Sequence, residues 1–221
     1  MKPTKLEAHP GKRLLEPKDC VVLLIDHQPQ MAFATRSISA ELLINNVIGL
    51  AKAAKVFDIP TILTTVAVDS FSGPLFPGLQ AVFPDQIPID RTTMNAWEDQ
   101  RVVEAVMKSH RPKLIIAGLW TEVCVVTPVL SALDQGLEVY FVSDASGGVS
   151  DEAHNMAILR MIQAGAQPLT WLQFMLEMQR DWARSENYDA VTEVVKDHGG
   201  IYGLGVFYAK SMLGENAGEA G

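Results

Sequence analysis

Cysteine, long apolar runs and basic residues are all scarce in this chain of 221 residues. The two cysteines, Cys20 and Cys124, are too few for a disulfide framework, which predicts a reduced, cytoplasmic protein. The longest apolar run, residues 20–25, is far shorter than the roughly 20 residues that cross a bilayer. Because residues 1–13 also lack the apolar core of a secretory signal, we expect neither a membrane partner nor export.

The charge balance and the missing motifs exclude further classes of protein. Lysine plus arginine number 18 against 26 aspartate plus glutamate, a net charge of −8, whereas binding a phosphate backbone requires clustered cations. We therefore expect no nucleic acid partner. The chain contains neither GxGxxG nor GxxxxGK[ST], and its five histidines show no HxxxH or HxH spacing. The prediction is a protein that uses no metal and no nucleotide cofactor.

Short β-branched runs alternate along the chain with longer segments of helical periodicity. Strands are predicted at 21–25, 61–68, 87–91, 114–117, 139–142 and 168–171. Helices are predicted at 39–57, 98–110 and 123–135, from the N-cap Ser150 to Gly165, and from the last strand to about Arg184. Such alternation produces parallel βαβ units. The predicted fold is α/β, a three-layer α/β/α sandwich around a roughly six-stranded parallel sheet.

The last part of the chain fits this alternation poorly. We assign residues 1–184 to one domain and residues 185–221 to a C-terminal extension. Its segment 199–208 reads GGIYGLGVFY, which is apolar but rich in glycine. We expect the extension to dock on the domain or on a neighbouring subunit.

Three side chains able to do chemistry stand at the ends of three predicted strands: Asp26, Arg91 and Cys124. In open α/β sheets, ligands bind beyond the carboxyl ends of the strands. We therefore expect the three side chains to face one crevice. Together they would supply a carboxylate base, a fixed cation and a nucleophilic thiol.

Each of the three residues also has a purely structural alternative. A helix N-terminus and a nearby cation would lower the pKa of the Cys124 thiol and favour catalysis, but free cysteine also fills core positions. Asp26 emerges from a buried strand, where it is either a base with a raised pKa or the cap of the next helix. Arg91 stays protonated, so it either acts electrostatically or is a surface residue.

Five stretches of the sequence are similar to one known family. They are VLLIDHQ (22–28), PTILTT (60–65), NAW (95–97), IIAG with TEVCV (115–118 and 121–125) and SDASG (143–147). The chain resembles the isochorismatase-like cysteine hydrolase superfamily, and within it the YcaC-like branch. The resemblance extends over residues 19–184, and its specific part is the combination of LLIDHQ with TEVC.

The resemblance implies a six-stranded parallel sheet and a catalytic set of aspartate, lysine and cysteine, which corresponds here to Asp26, Arg91 and Cys124. Arginine at the lysine position is common in the YcaC-like branch, and its permanent charge leaves it only an electrostatic role. Nicotinamidases of this superfamily hold a metal with an aspartate and two histidines. That set is absent from this sequence, which disfavours nicotinamide as the substrate.

The resemblance further implies a cis peptide bond between Leu119 and Trp120. The N–H groups of Trp120 and Cys124 would then form an oxyanion hole. We expect Asn95, Trp120 and Thr121 to bind the substrate. The position of Trp120 is usually small in relatives, so the indole is expected to shrink or reshape the pocket.

The resulting prediction is a cofactor-independent cysteine hydrolase that cleaves a small amide-like molecule through a thioester. One alternative is a non-catalytic oligomeric scaffold or ligand-binding protein that retains the fold. Another is an isochorismate-type hydrolase of vinyl ethers, which would not need Cys124. Because relatives assemble into tetramers or octamers, the resemblance also implies a homo-oligomer.

Overall fold

A computed structural model describes residue 8 and residues 10–214, and its centre is one sheet of six parallel strands. The strand order is β3-β2-β1-β4-β5-β6. The predicted six-stranded parallel sheet is confirmed. The strands are β1 (Cys20–Ile25), β2 (Thr61–Val66), β3 (Ile89–Arg91), β4 (Lys113–Gly118), β5 (Glu138–Val142) and β6 (Gln167–Leu169).

Helices flank this sheet, and several begin and end where the sequence predicts. Ser39 and Ser150 accept N-cap hydrogen bonds, and Gly165 ends its helix in the left-handed region with φ 108°. The helices are α1 (Pro29–Ala34), α2 (Ala40–Val56), α3 (Pro77–Val82), α4 (Gln100–Lys108), α5 (Val126–Asp134), α6 (Asp151–Ala164), α7 (Trp171–Gln179), α8 (Tyr188–His198) and α9 (Ile201–Leu213).

The strand order creates a switch point between β1 and β4. The chain runs from β1 outward to β2 and β3, then returns to place β4 on the other side of β1. A crevice forms beyond the carboxyl ends of strands at such a point. Gly118 ends β4 there, and a Cβ on it would lie 2.6 Å from the carbonyl oxygen of Ile25, so glycine permits the close approach of the two strands.

The helix predicted to reach Arg184 is shorter than expected. The strand β6 ends at Leu169, Thr170 caps α7, and α7 ends at Gln179. Arg180 follows with φ 58°, outside the helical region, and its guanidinium donates to the carbonyl of Leu15 at 2.5 Å. This contact with a distant segment ends the helix, and local sequence gives no sign of it.

The C-terminal extension forms two helices. The side chains of Val191 and Val195 on α8 are buried in the common core, where α8 packs against α2. The helix α9 packs against α8. Residues 215–221 lie outside the described part of the chain, as do residues 1–7 and 9, which belong to the stretch considered for a secretory signal. Among the helices of the described residues, none is long and apolar enough to cross a membrane.

Candidate active site

The carboxylate of Asp26 lies at the switch point, fully buried, directly after β1. Its φ of 56° turns the chain sharply away from the strand, in a region that aspartate tolerates better than most residues. The Thr64 hydroxyl on β2 donates to Oδ1 at 3.2 Å, and Arg91 Nη2 lies 2.5 Å from Oδ2. Three neighbouring strands thus hold one carboxylate in place.

Arg91 ends β3 and is buried beside this carboxylate, so the surface alternative is wrong. Its second terminal nitrogen donates to the carbonyl oxygen of Thr93 and, at 3.4 Å, to that of Met94. Asp26 is not the cap of the next helix either, because the residue at the N-cap of α1 is Gln28. The pair is a buried ion pair with further hydrogen bonds, the arrangement that makes a buried charge tolerable.

Cys124 lies between β4 and α5 in a single π-helical turn, Thr121–Val125. The sequence predicts a helix from residue 123, but α5 begins only at Val126. The buried thiol lies near the carboxylate of Asp26, so the charge of that carboxylate acts on the pKa of the thiol. The peptide bond between Leu119 and Trp120, shortly before the cysteine, is cis.

Burial dominates the electrostatics of this group of side chains. Loss of hydration raises the pKa of Asp26 from 3.8 to about 6, although Arg91 and the hydrogen bonds from Cys124 and Thr64 lower it. Burial, and next the charge of Asp26, raise the pKa of the Cys124 thiol from 9.0 to about 12. The expectation of a lowered thiol pKa is therefore wrong. The resting site holds a neutral thiol against a carboxylate that titrates near neutrality.

The three residues expected to bind substrate have different surroundings. The side-chain oxygen of Asn95 caps a short 3-10 turn, and its amide donates to Ser131 at 3.2 Å. The buried Thr121 hydroxyl pairs with His154 at 2.8 Å. Trp120 is half-buried, and its indole N–H donates to the carbonyl of Met31 on α1 at 2.8 Å. Of the three, Trp120 is the one that takes part in the cis peptide bond.

Several residues that support the site were not singled out from the sequence. Thr64 is a hydroxyl inside a predicted strand, and parallel strands are covered on both faces, so a hydroxyl there requires a partner. Ser146 accepts from the N–H of Gly118 at 3.1 Å and so ties the end of β4 to the loop after β5. His27 is fully buried, its ring Nε2 donates to the carbonyl oxygen of Ala145 at 2.9 Å, and burial lowers its pKa to about 4.

The next feature is the distribution of side chains that could bind a metal ion. Within the described residues, no three histidine, cysteine, aspartate or glutamate side chains come together in a group that could hold a metal. Asp26 is engaged by Arg91, Thr64 and Cys124.

The fold and the sequence correspond to a known class of enzyme. The family model described as the isochorismatase domain matches residues 20–173. The chain belongs to the isochorismatase family.

Relatives place the chain in the YcaC-like branch of that family. It is 44% identical over 169 residues to the probable hydrolase YcaC of Escherichia coli strain K12, covering 76% of this chain and 81% of that protein. The structure of YcaC from Pseudomonas aeruginosa with hexane-2,5-diol and covalent acrylamide has a TM-score of 0.85 and 36% identity, covering 90% of this chain and 98% of that one.

The structure of Escherichia coli YcaC has a TM-score of 0.86 and 38% identity, covering 93% of this chain and all of the other, 100%. That protein is described as an octameric hydrolase of unknown specificity. These relatives, together with the family match, identify the chain as a hydrolase.

Proposed function

We propose that this hydrolase is a cofactor-independent cysteine hydrolase that cleaves a small amide-like substrate through a thioester. The observation that carries the proposal is that the buried Cys124 thiol and the buried Asp26 carboxylate lie near enough for each to shift the pKa of the other. A thiol with a pKa of about 12 is a weak nucleophile alone, but a neighbouring base with a pKa of about 6 can remove its proton during attack.

In the first half of the reaction, Asp26 takes the thiol proton while the sulfur of Cys124 bonds to the carbonyl carbon. The carbonyl electron pair moves to oxygen, and the N–H groups of Trp120 and Cys124 stabilise that oxyanion. When the carbonyl reforms, the C–N bond breaks and Asp26 returns its proton to the departing amine. The product is a thioester on Cys124 and a free amine.

In the second half, Asp26 takes a proton from water as the water oxygen bonds to the thioester carbon. Collapse of the tetrahedral intermediate breaks the C–S bond, and Asp26 returns the proton to the sulfur. The net result is a carboxylic acid product and a restored thiol. Arg91 cannot exchange protons, so its role is to stabilise the charged form of Asp26 when the proton has left.

A thiol nucleophile favours amide or ester chemistry over the hydrolysis of a vinyl ether, which needs no covalent intermediate. The relative described with covalent acrylamide supports a reactive nucleophile in this branch, since acrylamide bonds to nucleophiles through its alkene carbon, with its amide left intact. The large, half-buried Trp120 indole, held by the carbonyl of Met31, favours a small substrate. Thr121 and Asn95 are secured by His154 and Ser131, and we assign them to shaping the walls of the site.

We propose that the active form is a homo-oligomer that works in the cytoplasm. The octameric state described for the Escherichia coli relative, which aligns over its full length, supports an assembly of this order. The surface charge of −8 favours solubility of such an assembly.

The decisive experiment compares Cys124→Ala with Cys20→Ala on a panel of small amides. Cys20 is buried at the far end of β1, and burial raises its pKa to about 12 as well, so it is a matched control. We expect Cys124→Ala to lose at least about 10³-fold in turnover, as loss of a nucleophile does, and Cys20→Ala to keep the wild-type rate. Wild-type turnover by Cys124→Ala would contradict the mechanism, and hydrolysis of a vinyl ether by that variant would indicate the isochorismatase alternative.

A further inference from the structure

The last helix of the described chain has apolar side chains on nearly all sides. The sequence of α9 is IYGLGVFYAKSML, with Lys210 as its single charged residue. Ile201 is 88% exposed, and Phe207 is 59% exposed. A helix that is apolar all round is normally buried. The described residues leave this one open, so a further surface must cover it.

One side of α9 packs against α8. A Cβ on Gly203 would lie 2.3 Å from the carbonyl oxygen of Val195 on α8, so glycine lets the two helices come into close contact. Val206 packs against the edge of the core on the same side. The large side chains therefore face away from the domain: Ile201, Leu204, Phe207, Tyr208 and Met212.

The charge pattern argues against a lipid surface as the covering partner. Helices that lie in a membrane interface carry a polar face rich in lysine and arginine. Lys210 is the only cation of α9, and the whole chain carries −8, which anionic lipids would repel. The absence of acidic residues from α9 means instead that two copies of this chain can meet there without placing carboxylates face to face.

We propose that α9 binds the equivalent helix of a second copy of this chain, as one of the interfaces of the homo-oligomer proposed above. Full burial of an aromatic side chain removes about 150–250 Å² from water, so Phe207 and Tyr208 together with the three exposed aliphatic side chains of α9 offer several hundred Å² per copy. A standard stable interface buries about 800 Å² per partner. An isologous contact, in which the same face is used by both copies, covers both exposed helices at once.

The test replaces apolar side chains of α9 by glutamate and measures the mass of the assembly by light scattering. The double variant Leu204→Glu, Phe207→Glu places two negative charges from each copy in the interface. Its control is Ile87→Glu, which places a negative charge on another exposed apolar side chain. Ile87 is 88% exposed and lies in a loop far from α9 in sequence. We expect at least a twofold lower mass for the double variant and the wild-type mass for the control.

Three results would overturn the proposal. If the double variant keeps the wild-type mass, with its helical content verified by circular dichroism, α9 is not an interface, although the protein is still an oligomer. A monomeric wild-type protein rejects both α9 and the proposed assembly. If the wild type floats with vesicles of phosphatidylcholine and phosphatidylglycerol but the double variant does not, α9 binds a lipid surface and not a second copy. The Cys124→Ala assay is independent of all three, so failure here leaves the cysteine mechanism untouched.

Discussion

At the scale of single residues, the chemistry depends on the balance of forces on the Asp26 carboxylate. Burial raises its pKa to about 6, while the charge of Arg91 and the hydrogen bonds from Cys124 and Thr64 lower it. Below that pH the group holds a proton and cannot accept the one from the thiol. Reactivity of Cys124 should therefore rise with pH up to about 6 and then level off, well below the thiol pKa of about 12.

Removal of one donor tests this balance. In Thr64→Val the hydrogen bond to Oδ1 is lost, the charged form of Asp26 loses a stabilising contact, and its pKa rises by about one unit. The midpoint for addition of acrylamide to Cys124, followed by intact-protein mass spectrometry, should move upward from about 6 by the same amount. The rate above the new midpoint should stay near that of the wild type.

The neighbouring residue on the same strand is the control. Thr65 is buried too, but its hydroxyl donates to Asp90 at 3.0 Å and makes no hydrogen bond to Asp26. Thr65→Val should therefore leave the midpoint unchanged. If both variants shift it equally, the effect comes from repacking of β2, and if the wild-type rate climbs steadily to pH 10, Asp26 is not the base.

The residues of the site differ in how far sequence predicts them. Asp26, Arg91 and Cys124 follow from their place at strand ends, because parallel strands bring those ends to one edge. The upward shift of the Cys124 pKa cannot be predicted in this way, because it depends on how deeply the turn is buried and on the nearness of Asp26. The sequence indicates only that a helix begins near Cys124, which would lower the pKa of the thiol. The loss of hydration that raises this pKa depends on the whole fold.

At the scale of elements, β1 and β4 lead directly to Asp26 and to the turn that holds Cys124, and Gly118 sets the spacing of the two strands. Gly118→Ala would put a methyl group 2.6 Å from the carbonyl oxygen of Ile25, too close for either strand to stay in place. We expect about 1–3 kcal/mol lower unfolding free energy in urea, and slower addition of acrylamide to Cys124. Gly11→Ala, where a Cβ has nothing within 4 Å, should change neither quantity. An unchanged adduct rate in a destabilised Gly118→Ala would mean that strand spacing does not align the site.

The sequence predicts helices and strands well where a repeating apolar pattern specifies them. It predicts them poorly where a contact with a distant segment does. The strands and α2 follow from apolar periodicity, and Ser150 and Gly165 mark the ends of α6. The helix α9 was missed because its glycines disfavour a helix locally, yet Gly203 is what allows it to pack on α8. The same residue type thus argues against a helix in isolation and stabilises the contact of two helices in the fold.

At the scale of the whole molecule, two buried thiols lie at opposite ends of the two central strands of the sheet. Cys20 begins β1, and Cys124 follows the carboxyl end of β4. Burial is the largest cause that raises each pKa from 9.0 to about 12. The folded protein therefore keeps two protons that the unfolded chain releases above pH 9.0, and the free energy of unfolding falls as pH rises from there to about 12.

Each thiol contributes a slope of about 1.4 kcal/mol per pH unit in this range, so the pair contributes up to about 2.7. Urea unfolding of the reduced protein at several pH values between 9 and 11 measures that slope. Cys20→Ala should remove about half of the thiol contribution while leaving hydrolysis intact, and Cys124→Ala should remove the other half and abolish hydrolysis. Equal slopes in all three proteins would mean that the thiols are not held neutral by the fold. The raised thiol pKa, and with it the need for Asp26 as the base, would then be wrong, even if Cys124 remained the nucleophile.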